Sequence, residues 1–289
     1  MATGTTQPRR KPVDREGERG GRRPSSRAGA AKKKRSSSPD RRWAPPHEVD
    51  GPKVRLGLAW FCVASMAVLI APLTTAITFG LAAAAGAAQA ARCWRRRRLR
   101  PNELVAAGMA GAMAVGACLG AGGAGIAILG GVGFAAFASG ADVKSRNPKL
   151  TDLGITIQCA LPLGLMATSM VLLVRLDRGS AVALLLLVSA YDAGDFIFGS
   201  ATSSAWEGPA AGVISMLALT PVIAGLPFSG LDFVDACALG LAATIAAPLG
   251  QVLGSAILPT AAGPATALRR VDTLLLAAPI WAWAAGLLL

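Results

Sequence analysis

The chain has 289 residues, 53% of them hydrophobic and 16% charged, with a mean hydropathy of +0.50 and a formal net charge of +13. Soluble globular chains carry about 25% charged residues, so this balance excludes an ordinary soluble domain. The single histidine, His47, lies near the N-terminus, which leaves no imidazole in the apolar part for a general base or a metal.

Residues 1–53 are dominated by Arg, Lys, Ser, Pro and Gly, with RRKPVDREGERGGRR and AAKKKRSSSPDRR as the densest stretches. So little apolar surface cannot offset chain entropy, and this tail is predicted to be disordered. Basic residues beside membrane spans follow the positive-inside rule, so the charge reads as a topology signal and not as a nucleic-acid footprint. A contact with anionic lipid, at about 1 kcal/mol per basic residue near the surface, is its functional alternative. The first apolar run begins after about fifty residues, too late for a cleavable signal peptide.

From Leu56 to Ala91 the chain is apolar and broken by Pro72. Its length exceeds one span of about 20 residues, which predicts two helices, 56–71 and 73–92. A basic stretch follows, Arg92 and then Arg95 to Arg100. The next apolar run, Leu104 to Ala138, is interrupted by the glycine-rich segment from Gly120 to Gly125. That segment lacks the Gly-Lys-Ser/Thr ending of a phosphate loop, so it predicts a turn or close packing through small residues. After Lys144, Arg146 and Lys149, further spans are predicted near 153–174, 180–199, 208–226, 234–254 and 271–289.

The expected fold is therefore an all-α polytopic bundle of about nine spans. It divides into a tail (1–53), an N-terminal set of helices (54–150) and a C-terminal region (151–289). With the tail in the cytoplasm, the basic 92–100, 144–149 and 255–270 loops share its side of the plasma membrane. Arg175 and Arg178 fall opposite, partly offset by Asp177. The five cysteines are scattered, without a C-x-x-C pair, and read as small buried hydrophobes.

An ionised group in hydrocarbon is expensive, so intramembrane carboxylates are the first functional candidates. Asp192 and Asp195 stand three apart, on one helix face. Glu207 opens the next helix and Asp272 the last. All are expected at cytoplasmic helix ends, where clustered oxygen ligands suit Mg²⁺ and Arg269 and Arg270 suit a phosphate. Trp206 reads equally as an interfacial anchor. Asp232 and Asp235 read as structural, Ser229-x-x-Asp232 being a capping arrangement.

Four segments carry a resemblance. Asp192-Ala-Gly-Asp-Phe-Ile-Phe-Gly199 resembles the D-T-G-A-Y-x-x-G of the phosphatidate cytidylyltransferases (CDP-diacylglycerol synthases). Ser204-Ala-Trp-Glu-Gly208 is similar to their S-P-x-K-T-W-E-G segment, Leu249-Gly-Gln-Val-Leu-Gly-Ser255 to their G-D-x-x-E-S stretch, and Arg269-Arg-Val-Asp-Thr273 to their D-R-x-D-S. The four occur in order over residues 180–289. The resemblance implies transfer of CMP from CTP to phosphatidate at the cytoplasmic surface, with Mg²⁺ as cofactor. It implies Asp192 and Asp272 as catalytic groups, and Trp206, Glu207, Gly208, Ser255 and Arg270 as substrate contacts. Asp192, Glu207 and Asp272 would hold metal, with Asp195 as a relocated ligand.

The departures bear on chemistry. Gln251 replaces the aspartate of G-D, Gly254 the glutamate, and Arg269 the aspartate of D-R. Leu258 and Pro259 stand where Lys-Arg would follow, and the K-D and P-x-H-G-G elements are absent. Alongside an active synthase, the sequence therefore allows an inactive relative that binds lipid or a partner membrane enzyme, and, third, a small transporter. It leaves room for a homodimer.

Overall fold

Proline and glycine divide the N-terminal apolar runs where the chain needs to reverse. In the computed structural model, which describes residues 51–95, 97, 99–141, 149–200, 206–226, 230–260 and 263–288, α1 (Gly51–Ile70) stops just short of Pro72. That proline opens α2 (Pro72–Arg95), at a position where its missing N–H is no loss. The Thr74 and Thr75 hydroxyls donate to the carbonyls of Ala67 and Ala71 at 2.7–3.1 Å. Carbonyls at the end of α1 are thereby satisfied.

Helix α3 (Glu103–Gly116) is capped by Asn102, whose side chain accepts from the Leu104 and Val105 amides at 3.2 Å. It tightens into a 3-10 turn, Ala117–Leu119, and reverses at Gly120, where φ is +93°. Only glycine adopts that conformation readily. In α4 (Ala121–Ala141), a side chain on Gly123 would fall 2.4 Å from the Gly116 carbonyl. The glycine-rich segment is thus both the turn and the close packing expected of it.

The remaining helices are α5 (Lys149–Leu176), α6 (Arg178–Gly199), α7 (Glu207–Ala224), α8 (Phe233–Ile257) and α9 (Leu274–Leu288), with a 3-10 turn at Leu268–Arg270. Asp177 caps α6, accepting from Gly179 and Ser180 at 3.2 and 2.8 Å, and also from Gly230 at 3.1 Å. A residue expected only to offset two arginines therefore ties α6 to the α7–α8 connection. Asp232 does occupy the N-cap position of α8, but its side chain makes no capping hydrogen bond. Ser229 lies outside the described residues, as do the tail with His47, Lys144, Arg146 and Ser204.

Helix α5 lies at the centre, against α2, α3, α4, α6 and α9. Its apolar window is 61% buried against 11% for α4, which is peripheral. Leu163, Met166, Met170 and Leu173 of α5 form the core with Phe79 and Met113. The buried Trp281 indole donates to the Ser180 hydroxyl at 2.7 Å, fixing α9 on α6. Cys93 and Cys159 pack in this core as small hydrophobes.

The protein is an α-helical membrane bundle. Six helices, α2 and α4 to α8, are long and apolar enough to cross a membrane, whereas the apolar parts of α1, α3 and α9 are shorter. Nine helices among the described residues thus stand where nine spans were expected, but length supports crossing for six.

The 92–100 and 255–270 connections meet at one end of the bundle, while the expected 144–149 loop lies outside the described residues except Lys149. At one end, Trp94 Nε1 donates to the Ile257 carbonyl at 2.8 Å, the Ala267 amide to Gln89 at 2.9 Å, and the Arg100 amide to Asp152 at 3.0 Å. Arg92 and Arg95 pair with Glu103 there. At the opposite end, Arg175 donates to the Cys118 carbonyl.

Candidate functional site

The last turns of α6 carry Tyr191, Asp192 and Asp195. Tyr191 and Asp195 are four apart and share a helix face, with the phenol fully buried and Asp195 9% exposed. Between them reaches Gln251 from α8. The Tyr191 hydroxyl donates to Gln251 Oε1 at 3.2 Å, and Gln251 Nε2 donates to Asp195 Oδ2 at 3.0 Å. A carboxylate only accepts, so this partner fixes which way the amide faces.

Two glycines bring α7 onto this pair. A Cβ on Gly208 would stand 2.3 Å from Asp195 Oδ1, and one on Gly212 would stand 2.8 Å from the Tyr191 carbonyl. The glycine of the Trp-Glu-Gly segment is therefore a contact of the cluster. Trp206 and Glu207 themselves are exposed at the start of α7.

The other half of the cluster lies between α8 and the turn before α9. Ser255, one turn beyond Gln251, back-bonds to the Gln251 carbonyl at 3.0 Å and accepts from Arg269 Nη1 at 3.0 Å. The same guanidinium nitrogen reaches Asp272 Oδ2 at 3.3 Å, while the Thr273 amide donates to Asp272 Oδ1 at 3.0 Å. Asp272 is 5% exposed and fills the space left by two glycines of α8. A Cβ on Gly250 would meet its carbonyl at 2.4 Å, and one on Gly254 its Cβ at 2.8 Å. Gly254, by having no side chain, thus leaves the room that Asp272 occupies.

Asp192 bridges the two halves. It hydrogen-bonds the Thr273 side chain, and the charges that act on it are those of Asp272, Asp195 and Arg270. Arg270 lies over α1, its Nη1 3.0 Å from where a Gly57 Cβ would stand. In the turn outside the helices, burial pushes the Asp272 carboxyl up to about 6, against the opposing pull of Arg269.

The structure thus brings together Asp192, Asp195, Gly208, Ser255, Arg270 and Asp272, and leaves Trp206 and Glu207 at the exposed start of α7. Asp192 and Asp195 do not share one environment, since Asp192 is exposed and Asp195 buried. Among the described residues, no three His, Cys, Asp or Glu side chains are placed to hold a metal ion. The expected set Asp192, Asp195, Glu207 and Asp272 is not assembled. Its Asp195 is engaged by an amide N–H, its Asp272 by a guanidinium, and its Glu207 is exposed at the start of α7. As arranged, these residues do not fit Mg²⁺, which demands several oxygens at near-octahedral geometry.

Sequence reasoning missed Tyr191 and Thr273, and noted Gln251 only as a departure. One signal was available, since Tyr191 is the chain's single tyrosine and stands one turn before an intramembrane acid. Compared with known proteins, the chain matches no family model, no curated protein and no solved structure.

Proposed function

We propose that this chain is a cytidylyltransferase-like protein of the plasma membrane that binds the phosphate of a phosphatidate-like lipid without transferring CMP. The observation that carries the reading is Arg269, held between Ser255 and Asp272. Arg269 and Arg270 enter the same turn from adjacent positions, and a guanidinium presents the planar fork that matches phosphate. The acids of a phosphoryl-transfer site are meanwhile occupied within the chain, Asp195 by Gln251 and Asp272 by Arg269. The basic Arg92–Arg100 segment at the same end supports a cytoplasmic placement, with the tail on that side.

CMP transfer from CTP to phosphatidate is the second reading. It is favoured by the position of Asp192 beside Thr273 and Arg270, an acid and a guanidinium on adjoining elements. Transport is less well supported, because the acids gather at one end of the bundle and transporter sites lie near the midplane.

The test is reconstitution of the full chain into nanodiscs with phosphatidate or with phosphatidylcholine alone, followed by CTP and Mg²⁺. Saturable retention of phosphatidate without CDP-diacylglycerol supports the proposal. Absence of any preference for phosphatidate removes it.

A further inference from the structure

Resting on that reading, we infer that the Arg269 guanidinium stands in this cluster where a divalent cation would otherwise be needed, so that binding of a lipid phosphate here is independent of metal. The argument starts from what surrounds Arg269. Its Nη1 is hydrogen-bonded to the Ser255 hydroxyl at 3.0 Å and paired with Asp272 at 3.3 Å. Ser255 and Asp272 are both about 5% exposed, and a buried carboxylate requires a positive partner. Arg269 is that partner, attached covalently to the same turn three residues away.

Three positions make the exchange coherent. Gln251 offers a neutral amide, and its N–H points at Asp195. That N–H turns a donor, and not an oxygen ligand, toward Asp195 Oδ2. Gly254 carries no side chain, and the space is taken by Asp272 itself. Arg269 then adds a fixed positive charge. Each change removes a reason for a metal or replaces the charge it would supply, which accounts for the absence of a metal-binding group among the described residues.

The consequence is a guanidinium already polarised and partly desolvated, with its side chain 20% exposed. A monoester phosphate arriving from the bilayer surface competes with Asp272 for it. Charge-assisted hydrogen bonds of this kind are roughly twice as strong as neutral ones.

The experiment uses the full chain in nanodiscs and a short-chain phosphatidate as the probe, titrated with excess EDTA and again with Mg²⁺. The expected result is an affinity unchanged within about twofold between the two. Arg269→Ala should weaken binding about tenfold or more, as loss of a charge-assisted hydrogen bond implies, with Arg269→Lys falling between the two. Electron paramagnetic resonance of added Mn²⁺, which needs no variant, should show only the spectrum of free ion. Binding that disappears in EDTA, a bound Mn²⁺ signal lost in Asp192→Asn, or binding unaffected by Arg269→Ala would each overturn the inference while leaving lipid binding intact. Failure to bind phosphatidate under any condition would overturn the proposed function, and the inference with it.

Discussion

Gln251 donates its amide N–H to Asp195 at 3.0 Å across 56 residues of sequence, and its carbonyl accepts from Tyr191. This one side chain closes a buried chain of hydrogen bonds between α6 and α8. Gln251→Ala leaves a buried phenol and a buried carboxylate each short of a partner. The expected loss is about 1–3 kcal/mol, the cost of unsatisfied buried groups, read as a lowered midpoint of thermal unfolding in detergent. Gln251→Glu should lose stability as well, because it places a second acid against Asp195.

The α6–α7 and α8–α9 contacts depend on glycines that have no room to grow. Gly208→Ala and Gly254→Ala would each place a methyl group within 2.8 Å of an Asp195 or Asp272 atom. Overpacking of this kind costs about 1–3 kcal/mol. Gly122→Ala in α4, where a Cβ meets nothing within 4 Å, serves as the control and should leave thermal unfolding unchanged. Equal effects at all three positions would contradict the packing described.

Helix α9 is held by the hydrogen bond from Trp281 to Ser180. Trp281→Phe keeps most of the ring volume and removes the donor, for an expected loss of about 1 kcal/mol. Ser180→Ala should cost about the same, and the double variant little more than either alone. Strict additivity in that cycle would show the two residues to be uncoupled.

Asp272 should titrate near pH 6. Below that pH it is protonated and its pairing with Arg269 is neutral–charged; above it the acid is ionised and the ion pair is complete. Because an unfolded aspartate ionises near pH 4, the folded carboxyl keeps its proton longer, and this group's contribution to stability falls as pH rises from about 4 to about 6. Infrared difference spectra should show a protonated carboxyl band that disappears through pH 6 and is missing from Asp272→Asn. A band that titrates near pH 4 would mean that Arg269 outweighs burial.

Much of the bundle was legible because its signals are local. Pro72 and Gly120 each impose a backbone constraint at a single residue, and the later helices announce themselves as apolar runs between charged or glycine-rich segments. Helix α3 was less legible, since the run from Leu104 to Ala138 contains a reversal that hydropathy alone does not locate to one residue. At the site, the shared location of Asp192, Asp195 and Asp272 could be read from helix ends. Their partners could not. Gln251 and Tyr191 meet across 60 residues, and nothing in either local pattern signals the other. The burial of Asp195 beside an exposed Asp192 arises from α7 and α8 packing on one side of α6, which period alone does not decide. Glu207 is exposed at the start of α7, whereas Gly208 beside it packs on Asp195, a difference that the segment's sequence does not signal.

The most direct test of the proposed reading is the transfer of CMP from CTP to phosphatidate. Purified chain in phosphatidate-containing nanodiscs is supplied with CTP and Mg²⁺, and the lipid is analysed for CDP-diacylglycerol. The account predicts retained phosphatidate and no product; steady formation of CDP-diacylglycerol, abolished by Asp192→Asn and by Asp272→Asn, would contradict it.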